Sequence, residues 1–139
     1  MWIKWSREYE IGVSVMDKQH HALVDKINFF GKCMLEGKGE RELMGLFGEL
    51  AEYVDFHFNT EERLMDRYDY PDSEMHKSMH KDFSQMLANF ILDQREGIRM
   101  LSPAVHRYLR AWLTGHILDH TNKADRRLGK FLLEKGYQN

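Results

Sequence analysis

The feature that most narrows what this chain can become is a repeat. Apolar residues return every three or four positions through four long stretches, about 15–36, 40–68, 73–94 and 103–134, and no strand-like alternation competes. Met16, Leu23, Val24, Ile27 and Met34 carry the first stripe, and Leu43, Leu46, Phe47, Leu50, Val54, Leu64, Met65 and Tyr68 the second. Phe83, Leu87, Phe90 and Ile91 carry the third, and Val105, Leu109, Trp112, Leu113, Ala124, Leu128 and Phe131 the fourth. The breaks between them obey helix chemistry. Pro71 precedes the capping residues Asp72 and Ser73, Pro103 follows the capping residue Ser102, and Gly37, Gly39 and the run REGIRMLSP mark the remaining connections. Four helices on short links pack most simply as an all-α, antiparallel up-down-up-down four-helix bundle. The 139 residues suit a single domain, 1–139, with residues 1–14 as an arm whose Trp2 and Trp5 lie on its outside. Gly45 and Gly48 inside the second helix each cost about 1 kcal/mol relative to alanine, so close packing is expected there.

Charge and cysteine content limit the partners. With 30% charged residues but a formal charge of only -2, the chain carries no large field of one sign, so nucleic acid and anionic membrane are not expected partners. No window approaches the roughly 20 apolar residues of a membrane span, and MWIKWSREYE lacks a signal peptide's apolar centre. Cys33 is the one cysteine, which rules out an internal disulfide and fits a cytoplasmic protein.

The informative positions are those that sit on a stripe without being apolar. His20 continues the first stripe, His57 and Glu61 the second, and His76 and His80 lead into Phe83 on the third. The fourth holds WLTGHILDHTNKAD, with His116, Asp119, His120 and Asp125. His21 and His106 fall beside polar neighbours and read as surface residues. One histidine on an apolar face is more often a satisfied core residue than a ligand. Several imidazoles and carboxylates aimed at one core are different, because each uncompensated charge costs several kcal/mol and a domain has only about 5–15 kcal/mol of net stability. At about 1.5 Å of rise per residue, the sets on the first three helices lie at one height within roughly a turn. Something positive is expected among them. Five histidines and two carboxylates exceed what a single tetrahedral zinc uses, and no thiolate pair is present. Carboxylates bridging two ions whose shells imidazoles complete suit iron or manganese, although the repeated Glu-x-x-His of ferritin-like sites is absent.

These residues resemble a known family. DKQHHAL at 17–23, HFNTEE at 57–62, YP followed by HKSMH at 76–80, and a last helix with WLTGHI and HTNKAD are similar to the hemerythrins, in particular their bacterial branch, over essentially the whole chain. The resemblance implies a non-haem centre of two iron ions, oxo- or hydroxo-bridged, that binds dioxygen reversibly. By position, His20 and His57 would hold one iron, His76, His80 and the fourth-helix histidine the other, and Glu61 and the fourth-helix aspartate would bridge. Six donors then surround one iron and five the other, which leaves one position open for dioxygen. Leu23, Phe58, Met65, Phe83 and Leu87 would keep water away from it.

The fourth helix departs from the family pattern. There W-L-x-x-H-I and H-x-x-x-x-D share one histidine, whereas here Trp112 and Ile117 flank His116, the fifth residue after His116 is Thr121, and Asp125 stands at that spacing from His120. His116 and Asp125 would be about 13.5 Å apart along a helix, too far for irons about 3.5 Å apart. His120 and Asp125, about 7.5 Å and 140° apart, straddle the inward face and are the favoured pair. His116 is then expected in the core or beside a ligand carboxylate; His116 with Asp119 is the alternative. The resulting expectation is an oxygen carrier, store or delivery protein and not an enzyme, with dioxygen as its ligand. Two other readings stand beside it. One is a module reporting oxygen, nitric oxide or redox state to a partner, for which no output region follows EKGYQN; the other is a di-iron oxidase or peroxidase.

Overall fold

The computed structural model describes residues 1–95 and 103–138. Helices α1 (Ser14–Leu35), α2 (Glu40–Arg67), α3 (Ser73–Arg95) and α4 (Pro103–His120) follow one another, then a π turn over Thr121–Asp125 leads into α5 (Arg126–Glu134). No strand occurs among the described residues, and none of their helices is long and apolar enough to cross a membrane. The Ser102 cap and the REGIRMLSP connection fall partly or wholly outside the described residues, as do the side chains of Val105 and His106.

α2 packs against both α1 and α3, and α1 also packs against α4. Their stripes bury two apolar layers rather than one. Leu23, Val24, Ile27, Phe30, Phe47, Leu50, Val54, Phe58, Phe83, Leu87, Leu109 and Leu113 form the larger. Ile11, Val13, Met16, Met65, Tyr70, Leu128 and Leu132 form the smaller. On α1, α2 and the α4–α5 rod the stripe passes from one layer to the other through ionisable residues, so a polar stratum lies between two apolar ones. Just beyond α2, Asp69 takes φ 53°, in the left-handed region, and Tyr70 N–H donates to Met65 O at 2.9 Å. That tight reversal starts α3 early enough for His76 and His80 to reach the level of His57 and Glu61.

The arm is held more closely than an outer wrapping. Trp2 and Ile3 are buried in the larger layer, and the Asn28 side chain pairs with the Ile3 backbone, accepting from its N–H at 2.8 Å and donating to its O at 2.7 Å. Asp17 accepts from Ile11 N–H at 2.8 Å and Gly12 N–H at 3.1 Å. Gly31 makes the docking possible, since a Cβ there would come within 2.6 Å of the Trp2 ring. Gly31→Ala should therefore displace the arm at a cost of about 1–3 kcal/mol, read as a lower urea midpoint and red-shifted tryptophan emission. Gly45 and Gly48 correct an expectation, for among the described residues nothing lies within 4 Å of a Cβ at either and no close approach explains them.

Candidate metal centre

The seven candidate ligands of the sequence converge in the polar stratum. His20, His57, Glu61, His76, His80 and Asp125 are all at most 3% exposed, and His120 has a side chain 17% exposed. Five rings direct Nε2 inward. Glu61 Oε1 lies 2.9 Å from His80 Nε2 and 3.7 Å from His76 Nε2, while its Oε2 lies 3.2 Å from His57 Nε2 and 3.5 Å from His20 Nε2. Asp125 Oδ1 is 3.0 Å from both His76 and His120 Nε2, and Oδ2 is 2.9 Å from His20 Nε2. Each carboxylate thus turns one oxygen to each side. Two overlapping groups result: Glu61, His76, His80, His120 and Asp125, and His20, His57, Glu61 and Asp125, with the donor atoms of each group within 4.8 Å of one another.

The donors fit cations better than they fit each other. Both Glu61 oxygens, His20 Nε2 and Asp125 Oδ2 are buried without a properly directed hydrogen bond, despite their short contacts. His120 Nε2 lies 3.2 Å from Nε2 of both His76 and His80, and neutral imidazoles cannot all present a proton at such a junction. Separations near 3 Å are those of neighbouring ligands around an octahedral ion with bonds of about 2.1 Å. With imidazole and carboxylate donors only, the set suits iron or manganese.

The π turn brings the fourth-helix candidates His120 and Asp125 together. In an α-helix a fifth residue falls about 140° out of line, but a π turn closes from i to i+5 and returns it to the same face. His120 and Asp125 therefore meet across the π segment Thr121–Asp125. His116 corrects an expectation: it is exposed and lies against the rings of Phe83 at 5.9 Å and Trp112 at 6.0 Å, with no carboxylate partner among the described residues. Asp119 is exposed and paired with Lys123 at 3.0 Å, and exposed His21 with Asp25 at 3.5 Å.

Two orienting groups escaped the sequence reading. Gln19 Oε1 lies 2.8 Å from His57 Nδ1, and Glu62 Oε2 lies 3.1 Å from His80 Nδ1. With Nδ1–H donating outward, each ring offers its Nε2 lone pair inward. Their signal was adjacency, as Gln19 and Glu62 each precede or follow a stripe ligand and so flank the neighbouring helix. Glu62→Ala should weaken metal binding by about 10- to 100-fold, measurable by competition with a chelator.

A cavity of about 540 Å³ opens beside the four-donor group and touches His20, His57, His120 and Asp125 but not His76, His80 or Glu61. Leu23, Phe58, Phe83, Ile117 and Thr121 line its inner part, and the exposed Asp82, Gly115, His116 and Asp119 its mouth. Of the five expected apolar guards, Met65 belongs to the other layer and Leu87 sits in the core away from the cavity.

Without metal, protons supply the missing charge. Burial alone would lower the His20 pKa, but the Asp125 and Glu61 carboxylates close against its ring outweigh it and raise the pKa from 6.5 to about 10. Burial and Asp125 push Glu61 upward, yet His57 and His20 hold it well below the usual carboxylate range. A raised histidine stabilises fully below its unfolded value and loses that contribution as pH climbs through its folded value. The metal-free protein should thus lose stability from about pH 6.5 to about 10, and again in acid as the carboxylates protonate. Urea midpoints against pH for chelated and iron-loaded protein check this, the alkaline loss being expected only in the former.

Comparison with known proteins identifies the family. The model of the hemerythrin HHE cation binding domain matches residues 11–124, stopping one residue short of Asp125. A bacteriohemerythrin of Stenotrophomonas maltophilia is 29% identical over 114 residues, covering 81% of this chain and 72% of that protein. A hemerythrin-like protein of Naegleria gruberi is 26% identical over 113 residues, covering 81% and 82% respectively. A wild-type hemerythrin crystal structure superposes with a TM-score of 0.80 at 26% identity, over 94% of this chain and 97% of the other. The matched span, the four-helix architecture and the histidine–carboxylate stratum together establish that the chain belongs to the hemerythrin family.

Proposed function

We propose that this chain binds dioxygen reversibly at a centre of two irons, as a carrier, store or delivery protein rather than an enzyme. His76, His80 and His120 would hold one iron and His20 and His57 the other, with Glu61 and Asp125 available to both. The observation that carries this reading is the asymmetry of the donor groups: five donors on one side, four on the other, and a cavity beside the four. Iron bound there supplies the electrons that dioxygen takes up on binding and returns on release. The chain's own part is to orient and to shelter. Gln19 and Glu62 fix His57 and His80, while Leu23, Phe58, Phe83 and Ile117 make the inner cavity apolar and leave its ionisable lining, apart from the ligands themselves, at the mouth.

The test is optical. Iron-loaded protein, reduced anaerobically and then given air, should develop a visible charge-transfer band that disappears when oxygen is removed. No band in protein containing iron would contradict oxygen binding, and rapid irreversible bleaching would favour an oxidase.

A further inference from the structure

The cavity accounts for how a small molecule approaches the centre, but not for a second feature of the α3–α4 side. Four ring contacts run inward from the surface without interruption. Tyr108 and Trp112 lie nearly parallel with centroids 6.3 Å apart, and Trp112 stacks on Phe83 at 5.4 Å. Phe83 meets Phe58 edge-on at 6.0 Å, and Phe58 lies flat on the His80 imidazole at 3.8 Å and 7°. Tyr108 is 57% exposed, whereas Trp112, Phe83, Phe58 and His80 are buried. The column therefore joins water to a candidate ligand of the five-donor group.

Ring stacking alone could serve packing. Two further facts favour a path with a partner at its outer end. The inner end is an imidazole held from both sides, by Glu62 on Nδ1 and beside Glu61 on Nε2, not an apolar side chain. Among the described residues the exposed face of α4 around this end carries positive charge, since Arg107 and Arg110 are both exposed within two positions of Tyr108. Tyrosine, tryptophan and arginine are the side chains that most often anchor protein contacts, and redox encounters are small and steered by charge. The exposed carboxylates Asp82 and Asp119 lie farther along at the cavity mouth, where Asp119 is tied to Lys123.

We propose that the Arg107–Tyr108–Arg110 surface docks an acidic one-electron donor protein, and that Trp112, Phe83 and Phe58 carry its electrons to the centre through His80. The inference rests on the two-iron reading. Each ferric ion takes one electron and becomes ferrous, and the donor is oxidised once for each iron. The rings shorten the gaps an electron must cross and are not themselves oxidised, so no proton travels the column. Oxidised protein would return to its oxygen-binding state by this route.

Reduced flavodoxin, an acidic one-electron donor, serves as the probe on air-oxidised, iron-loaded full chain. Its reduction rate should fall about tenfold or more in the Arg107→Glu/Arg110→Glu double variant and with rising salt. Tyr108→Leu and Trp112→Leu should slow it comparably, while dithionite, small enough to use other routes, should reduce all variants at similar rates. Tyr108 is a surface residue, so its variant remains informative if the Trp112 variant folds poorly. A readout independent of iron is amide shift mapping on the metal-free protein, where added flavodoxin should perturb the 107–112 region. Normal iron uptake with flavodoxin rates equal in all variants, or shifts confined to another face, would overturn the proposal. Failure to take up iron would instead sink the two-iron reading, with shift mapping still deciding the docking surface.

Discussion

His120→Ala should lose one of two irons and the oxygen-dependent band with it, whereas His116→Ala should keep both. The difference follows from the π turn. His120 Nε2 stands 3.0 Å from Asp125 Oδ1 and 3.2 Å from the Nε2 atoms of His76 and His80, while His116, one α-turn earlier, is exposed at the cavity mouth. Removing His120 reduces the five-donor group to four, and no other described imidazole stands ready to replace it. Removing His116 takes away only a ring contact with Phe83 and Trp112. Iron analysis of the two purified variants side by side checks the assignment, and the reverse pattern would transfer the ligand role to His116.

A larger effect is expected at Glu61. It is 0% exposed and belongs to both donor groups, so Glu61→Ala removes one candidate ligand from each group at once. Loss of an outer partner of a ligand typically weakens binding about 10- to 100-fold, so loss of a shared ligand should weaken both irons by at least about 100-fold. The metal-free protein should suffer as well. Glu61 helps hold His20 protonated, and breaking a buried charge pair typically costs about 3–5 kcal/mol. Chelator competition and urea unfolding of Glu61→Ala measure the two effects separately. Wild-type metal affinity in this variant would remove Glu61 from the site.

Much of this arrangement was legible because burial makes stripe positions costly for polar groups. His20, His57, Glu61, His76 and His80 stand out in the sequence since each replaces an apolar residue on a face that must be buried. Helix rise was enough to put them at one height. What the sequence concealed depended on local departures from ideal geometry or on interactions across helices. A regular α-helix leaves Asp125 out of line with His120, and no residue in TNKAD announces the π turn that corrects this. His116 looked like a core residue by spacing, yet the face it occupies borders a cavity. Met65 and Leu87 shared the stripe with the residues that line that cavity, but periodicity assigns a face and cannot say which layer along it a side chain joins. Gly45 and Gly48 show the same limit, as their open surroundings cannot be inferred from their helix penalty.

The most direct test of the shared-carboxylate centre is an anaerobic titration of metal-free protein with ferrous iron, following bound metal per chain. Two irons per chain are expected, with Glu61→Ala and Asp125→Ala each impairing both. Saturation at a single iron, or two irons of which either variant disturbs only one, would contradict it.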